Sequence, residues 1–254
     1  MPARERSTVA DPAAKPKRKP GLLTALGVLV ALAILLSLGT WQVERLYWKE
    51  GLLAELDRRI HAPPEKLADI EALARSGGDV DYRPTEATGR FDNSSERHFL
   101  ATWRGQSGFY IYTPLTLADG RSLFVNRGFV PYENKEPEKR VLGQLTDIVT
   151  VRGLARARLS EKPGSLVPDN DLAKNIFYWK DLDAMASSTG LDPARVLPFF
   201  LDADATPNPA GFPIGGVTMV ELPNNHLQYA VTWYGLAAAL AAISGIAWWR
   251  SRQA

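Results

Sequence analysis

The sequence predicts an α+β membrane protein. Two transmembrane helices, about residues 22–42 and 229–249, flank an antiparallel β-rich, barrel-like outer domain. Three observations predict it: an uncharged apolar run near each end of the chain, a run of short β-branched and aromatic segments between them, and no alternation of strands with helices.

The first apolar run is Leu22 to Trp41, with no charged residue. About twenty residues at about 1.5 Å each span the roughly 30 Å hydrocarbon core of a bilayer. A soluble helix would need a polar face, and this run has none. It exceeds the h-region of a secretory signal, and no small-x-small cleavage site follows it. The second run, Tyr229 to Trp249, is also uncharged. Tyr229, Trp233 and Tyr234 stand at one end and Trp248 and Trp249 at the other, where amphipathic rings favour the headgroup region. Its Ala- and Gly-rich middle allows another helix to approach closely, with the first helix as the natural partner.

Lys and Arg set the orientation. Arg4, Arg6, Lys15, Lys17, Arg18 and Lys19 precede the first run, and Arg250 and Arg252 follow the second. Thr206 to Gln228 contains neither residue type. The positive-inside rule then predicts both termini on the cytoplasmic side. Arg45, Lys49, Arg58 and Arg59 pull the other way, but two crossings must agree. Residues 1–20, rich in Pro, Ala and charge, read as a disordered basic tail. The expected order is then helix 21–43, outer domain 44–227, helix 228–249 and tail 250–254.

After Trp41 the apolar residues Leu46, Leu52, Leu53, Leu56 and Ile60 keep helical spacing, so the first helix should extend into water until Pro63 and Pro64 stop it. A short helix over 65–75 follows. Strands are expected at 85–91, 97–103, 108–116, 122–130 and 148–157, with further short strands at 177–181, 196–202 and 216–222 and a helix at 182–188. Ala118-Asp119-Gly120-Arg121 marks a hairpin turn. Gly128 should supply the backbone freedom of a β-bulge.

Composition excludes several chemistries. There is no cysteine, hence no disulfide, no zinc–thiolate site and no thiol nucleophile. A net charge of +2 gives no footprint for nucleic acid. Phosphate-binding, dinucleotide-binding and zinc-protease motifs are missing, and GQSGF (105–109) lacks the second glycine of a nucleophile elbow. The chain does not read as an enzyme.

Of the three histidines, His61 and His98 read as ordinary surface or capping groups. His226 stands at the outer mouth of the second helix. With Tyr229 and Trp233 it follows i, i+3, i+7 spacing, placing the three on one face. An imidazole there could ligate a haem iron or simply sit among headgroups.

LGTWQVERLYWK (38–49), GFYIYTPL (108–115), DGRSLFVNRGFVP (119–131) and NNHLQYAVTWYGLA (224–237) resemble, in order, the signatures of the Surfeit locus protein 1 (Shy-type) family, in its bacterial form. That resemblance implies an assembly factor for haem–copper, chiefly cytochrome c, oxidase. It implies transient binding of haem a and partnership with the oxidase catalytic subunit, with a haem a synthase and with the lipid bilayer. It implies a bacterial inner membrane location, or the mitochondrial inner membrane in a eukaryote. Carried over by position, His226 becomes the haem iron ligand, and Tyr229, Trp233, Trp41, Arg45 and Arg127 become cofactor-site residues. Arg45, one turn beyond Trp41, could pair with a propionate or equally with a lipid phosphate. Phe129 stands where the family often has Trp. A cofactor-free scaffold, gripping the nascent subunit through Gly235, Ala238 and Ala242, is the alternative.

Overall fold

The computed structural model describes residues 21–218 and 223–253. The expected tail over 1–20 lies outside them. The chain divides into two units, Met1–Leu52 with Leu222–Ala254, and Leu53–Glu221.

Helix α1 (Leu22–Ile60) begins in the apolar run of the first unit and continues without a break through the amphipathic stretch, its last residues from Leu53 counting with the second. The last helix, His226–Arg252, carries the second run and ends on Arg250 and Arg252. These are the two candidate membrane-spanning helices. Leu26, Leu29, Val30, Ile34 and Leu36 on one, and Leu236, Ile243 and Ile246 on the other, are exposed. So much uncovered apolar surface associates with a membrane rather than with water.

The second unit is β-rich. Helix α2 (Leu67–Arg75) precedes β1 (Pro84–Phe91), β2 (Arg97–Trp103), β3 (Gln106–Leu117), β4 (Ser122–Pro131) and β5 (Ile148–Ala157); α3 (Leu182–Ser188) and β6 (Val196–Ala203) follow. The order β1–β5–β6–β4–β3 closes on itself through a β1–β3 pairing, giving a five-stranded barrel with β2 on the outer edge of β3. All pairings are antiparallel except β4 with β6.

Alternation decides the layers. In β4 and β6, Leu123, Val125, Leu197, Phe199 and Leu201 join a core with Ile70 of α2. Phe124 and Phe200 turn the other way, with Tyr112, beneath Leu182 and Met185 of α3. Every residue of β4 is buried, because both of its faces are covered. Full burial of one such side chain stabilises by about 1.5–3 kcal/mol.

The hairpin turn at 118–121 forms, with Gly120 at φ +77. The predicted bulge forms too. Tyr110 pairs with Phe129 and Tyr112 with Asn126, so Arg127 and Gly128 together oppose Ile111. Gly128 has φ +123, and a Cβ there would lie 1.9 Å from the Ile214 carbonyl. No other residue fits.

Three expectations need correction. Of 177–181 only Phe177 pairs, as a single parallel bridge to Phe99. Asn170 Oδ1 accepts from the N–H groups of Tyr178 and Trp179 at 2.8 and 3.2 Å, which turns the chain away from the sheet. Residues 216–218 are not a strand, since Gly216 takes φ +68, and 219–222 lie outside the described residues. His98 is no surface group. It is 3% exposed, opposite Ile111 in the β2–β3 ladder, with Nε2 3.3 Å from Glu96 Oε1. His61, by contrast, is exposed at the end of α1, its Nδ1 2.9 Å from the Asp57 carbonyl.

Candidate functional site on the helix pair

We label the last helix α4. Its contact with α1 repeats every seven residues. On α1 the covered positions from 28 to 49 are Val28, Ala31, Leu32, Leu35, Leu38, Gly39, Gln42, Val43, Leu46 and Lys49; on α4 they include His226, Ala230, Trp233, Ala237, Leu240 and Ser244. Alternating steps of three and four keep one seam of each helix against the other. Small residues line the seam. Ala230 and Ala237 are buried, and a Cβ on Gly39 would meet the Tyr234 ring at 2.9 Å.

Polar contacts secure the upper part of the seam. Thr40 Oγ1 and Tyr234 Oη lie 3.0 Å apart. Lys49 Nζ donates to the Pro223 carbonyl at 2.5 Å, holding the segment that enters α4. Between them, His226 Nδ1 lies 2.7 Å from Gln42 Oε1. An amide oxygen can only accept, so the imidazole donates from Nδ1 and keeps its lone pair on Nε2. Gln42 is buried and His226 half-buried, which shields the bond from water.

One ring nitrogen of His226 is thus tied down on Gln42, and the other carries no hydrogen bond among the described residues. Fixing Nδ1–H on an acceptor sets the tautomer and orients the ring.

The predicted site residues are distributed unevenly around it. His226 and Trp233 share the seam. Tyr229 is 54% exposed and stands off it, because i+3 from His226 falls to one side of the line that i+4 and i+7 define. Trp41 is 53% exposed. Arg45 is exposed and stacks its guanidinium 3.7 Å above the Trp48 ring. Arg127 belongs to the β-rich unit, where it is 2% exposed and bonded to Asn93, Gly143 and Asn208. Residue-by-residue reading missed Gln42, Gly39 and Lys49. Their signal was the seven-residue register running from Val28 to Lys49.

A match to the SURF1 family model covers residues 29–238, from within α1 to within α4. The chain belongs to the SURF1 family. It is 42% identical over 219 residues to rat Surfeit locus protein 1, covering 80% of this chain and 68% of the relative. To the human Surfeit locus protein 1 it is 40% identical over 220 residues, covering 80% and 70%. To the protein of that name from Takifugu rubripes it is 36% identical over 229 residues, covering 84% and 91%. The SURF1 match includes Gln42 and His226, and so both halves of the bond that joins the helices.

Proposed function

We propose that this SURF1-family chain crosses a membrane twice, with both termini on the cytoplasmic side, and serves assembly of haem–copper oxidase. In this reading it holds haem a at the outer membrane face through His226 and aids its insertion into the catalytic subunit. The observation that carries the proposal is the 2.7 Å contact of His226 Nδ1 with Gln42 Oε1, which leaves Nε2 as the free ligand atom.

The residues suit the group. Haem has an apolar macrocycle, two propionates and an iron that an imidazole nitrogen can bind. His226 would hold the iron, and Gln42 would hold its ring and tautomer. Exposed Trp41 and Tyr229 offer apolar aromatic surface at the membrane interface. Arg45 would meet a propionate; its stacking on Trp48 leaves guanidinium edges for a carboxylate. The basic residues flanking the two helices support the orientation.

The test is a visible spectrum of the full chain purified from cells that make haem a. A bound haem with an imidazole-ligated signature is expected, altered or lost in His226→Ala. An unchanged spectrum in that variant removes His226 as ligand.

A specific observation favours a second reading, a cofactor-free scaffold. Gly235, Ala238 and Ala242 do not face α1 but are exposed, and no atom lies within 4 Å of a Cβ built on Gly235. Small residues on an uncovered helix face admit another helix. In that case Ala238→Leu and Ala242→Leu would abolish co-purification with the oxidase subunit while His226→Ala would not.

A further inference from the structure

One mouth of the barrel holds a cavity of about 380 Å³, near the lower end for small-molecule sites. Four of the five barrel strands wall it, through Phe91 of β1, Arg127 of β4, Val149 and Val151 of β5 and Ala203 of β6. Asn208 closes one side. The lining is mostly apolar, with one buried guanidinium.

Among the described residues that guanidinium has no counter-charge of its own. Arg127 and Arg140 are 2% and 4% exposed, and the carboxylate buried with them is Glu96. Glu96 is taken by Arg140, in a two-pronged ion pair, and by His98. Among the described residues Arg127 has only neutral acceptors: Asn93 Oδ1 at 3.2 Å, Asn208 Oδ1 at 3.4 Å and the Gly143 carbonyl. The two amides are held in that orientation. Asn93 Nδ2 donates to the Leu145 carbonyl and Asn208 Nδ2 to that of Pro213, at 2.8 and 2.6 Å. Three of the five guanidinium N–H groups are thereby used, and two remain. Burial pushes the Arg127 pKa down to about 10, and Glu96 offsets only part of it. A buried cation without a paired anion is unfavourable, so an anion that enters the cavity gains by pairing with it.

The charges on the rim do not supply the anion. Asp204 Oδ1 accepts from the Thr206 N–H at 2.9 Å, within its own loop. Arg152 is exposed and paired across the strands with Glu86 at 3.3 Å. We propose that the barrel cavity binds an organic acid with an apolar body, its carboxylate on Arg127 and its apolar part against Phe91, Val149 and Val151. The site is built wholly within the β-rich unit and does not depend on the haem reading.

The test is calorimetric titration of the full chain in lipid nanodiscs with 1-naphthoate and with its neutral counterpart, 1-naphthalenemethanol. The native chain should prefer naphthoate by about tenfold or more, the scale of a charge-assisted hydrogen bond. Arg127→Gln should lose that preference. Val151→Trp, which fills the apolar end and leaves Arg127 in place, should weaken both probes and serves where Arg127→Gln does not fold. Equal affinity for the two probes in the native chain, no binding of naphthoate, or naphthoate binding undiminished in a folded variant overturns the proposal.

Discussion

His226 and Gln42 are 184 residues apart in sequence and 2.7 Å apart in space. One supplies a ring nitrogen and the other the oxygen that decides which nitrogen stays free. Gln42→Leu keeps the volume and removes the acceptor. Haem affinity of the full chain, titrated by absorbance, should fall about 10–100-fold, the usual loss when a histidine ligand's outer partner is removed. Gln42→Glu should retain binding, since a carboxylate accepts the same proton. Equal affinity in all three would separate Gln42 from the site.

Gly39, three residues before Gln42, lies against the Tyr234 ring. A Cβ there would meet the Tyr234 ring at 2.9 Å, so the ring or the helix must move. Gly39→Val should destabilise the helix pair by about 1–3 kcal/mol. The same change should weaken haem binding as Gln42→Leu does. Unfolding in mixed detergent followed by circular dichroism, beside the absorbance titration, measures both effects.

Glu96 is the carboxylate of a buried trio with Arg140 and His98. Burial alone would push its pKa up, but the hydrogen bonds from His98 and Arg140 prevail and hold it below the ordinary carboxylate value. Its folded pKa therefore lies under its unfolded one. The stability it contributes is present above the unfolded value of about 4.3 and is lost as the pH falls through the depressed one. Glu96→Gln should cost about 3–5 kcal/mol at neutral pH, because it leaves Arg140 unpaired. The variant should also lose part of the native acid dependence. Denaturant midpoints taken from neutral pH down through the carboxylate range decide it.

Gly128 couples the bulge in β4 to the segment that follows β6. Phe129 and Ile214 exchange backbone hydrogen bonds at 2.9 and 2.8 Å. Gly128→Ala combines a φ of +123 with a Cβ 1.9 Å from the Ile214 carbonyl. A loss of more than about 2 kcal/mol is expected. Limited proteolysis should cut first near Ile214, and cleavage at the native rate would contradict this.

Much of the architecture was legible in the chain because its causes are local. Leu22 to Trp41 and Tyr229 to Trp249 read as membrane helices from length and lack of charge. Ala118 to Arg121 read as a turn, and Gly128 as a bulge, from backbone sterics. The strand at 177–181 was misread because its apolar and aromatic residues carry a β pattern while Asn170, seven residues away, bends the backbone with a side-chain oxygen. His98 was misread because a charged neighbourhood in sequence, Glu96 and Arg97, says nothing of the Phe109 ring beside it or of the Arg140 that pairs with Glu96.

The candidate site divides in the same way. The sequence by itself determined that two apolar helices carry His226, Tyr229, Trp233, Trp41 and Arg45 near their ends, and that the segment between is β-rich. Hydrophobic length, charge placement and turn chemistry are properties of short stretches, so they survive without the fold. Only the tertiary structure decided that Gln42 rather than Arg45 meets the imidazole, that Tyr229 turns away from the seam, that the barrel closes through β1 and β3, and that Arg127 is buried without an anion. Each of those depends on the rotation of one element against another. That rotation is set by the whole packed seam or sheet, and no single segment encodes it.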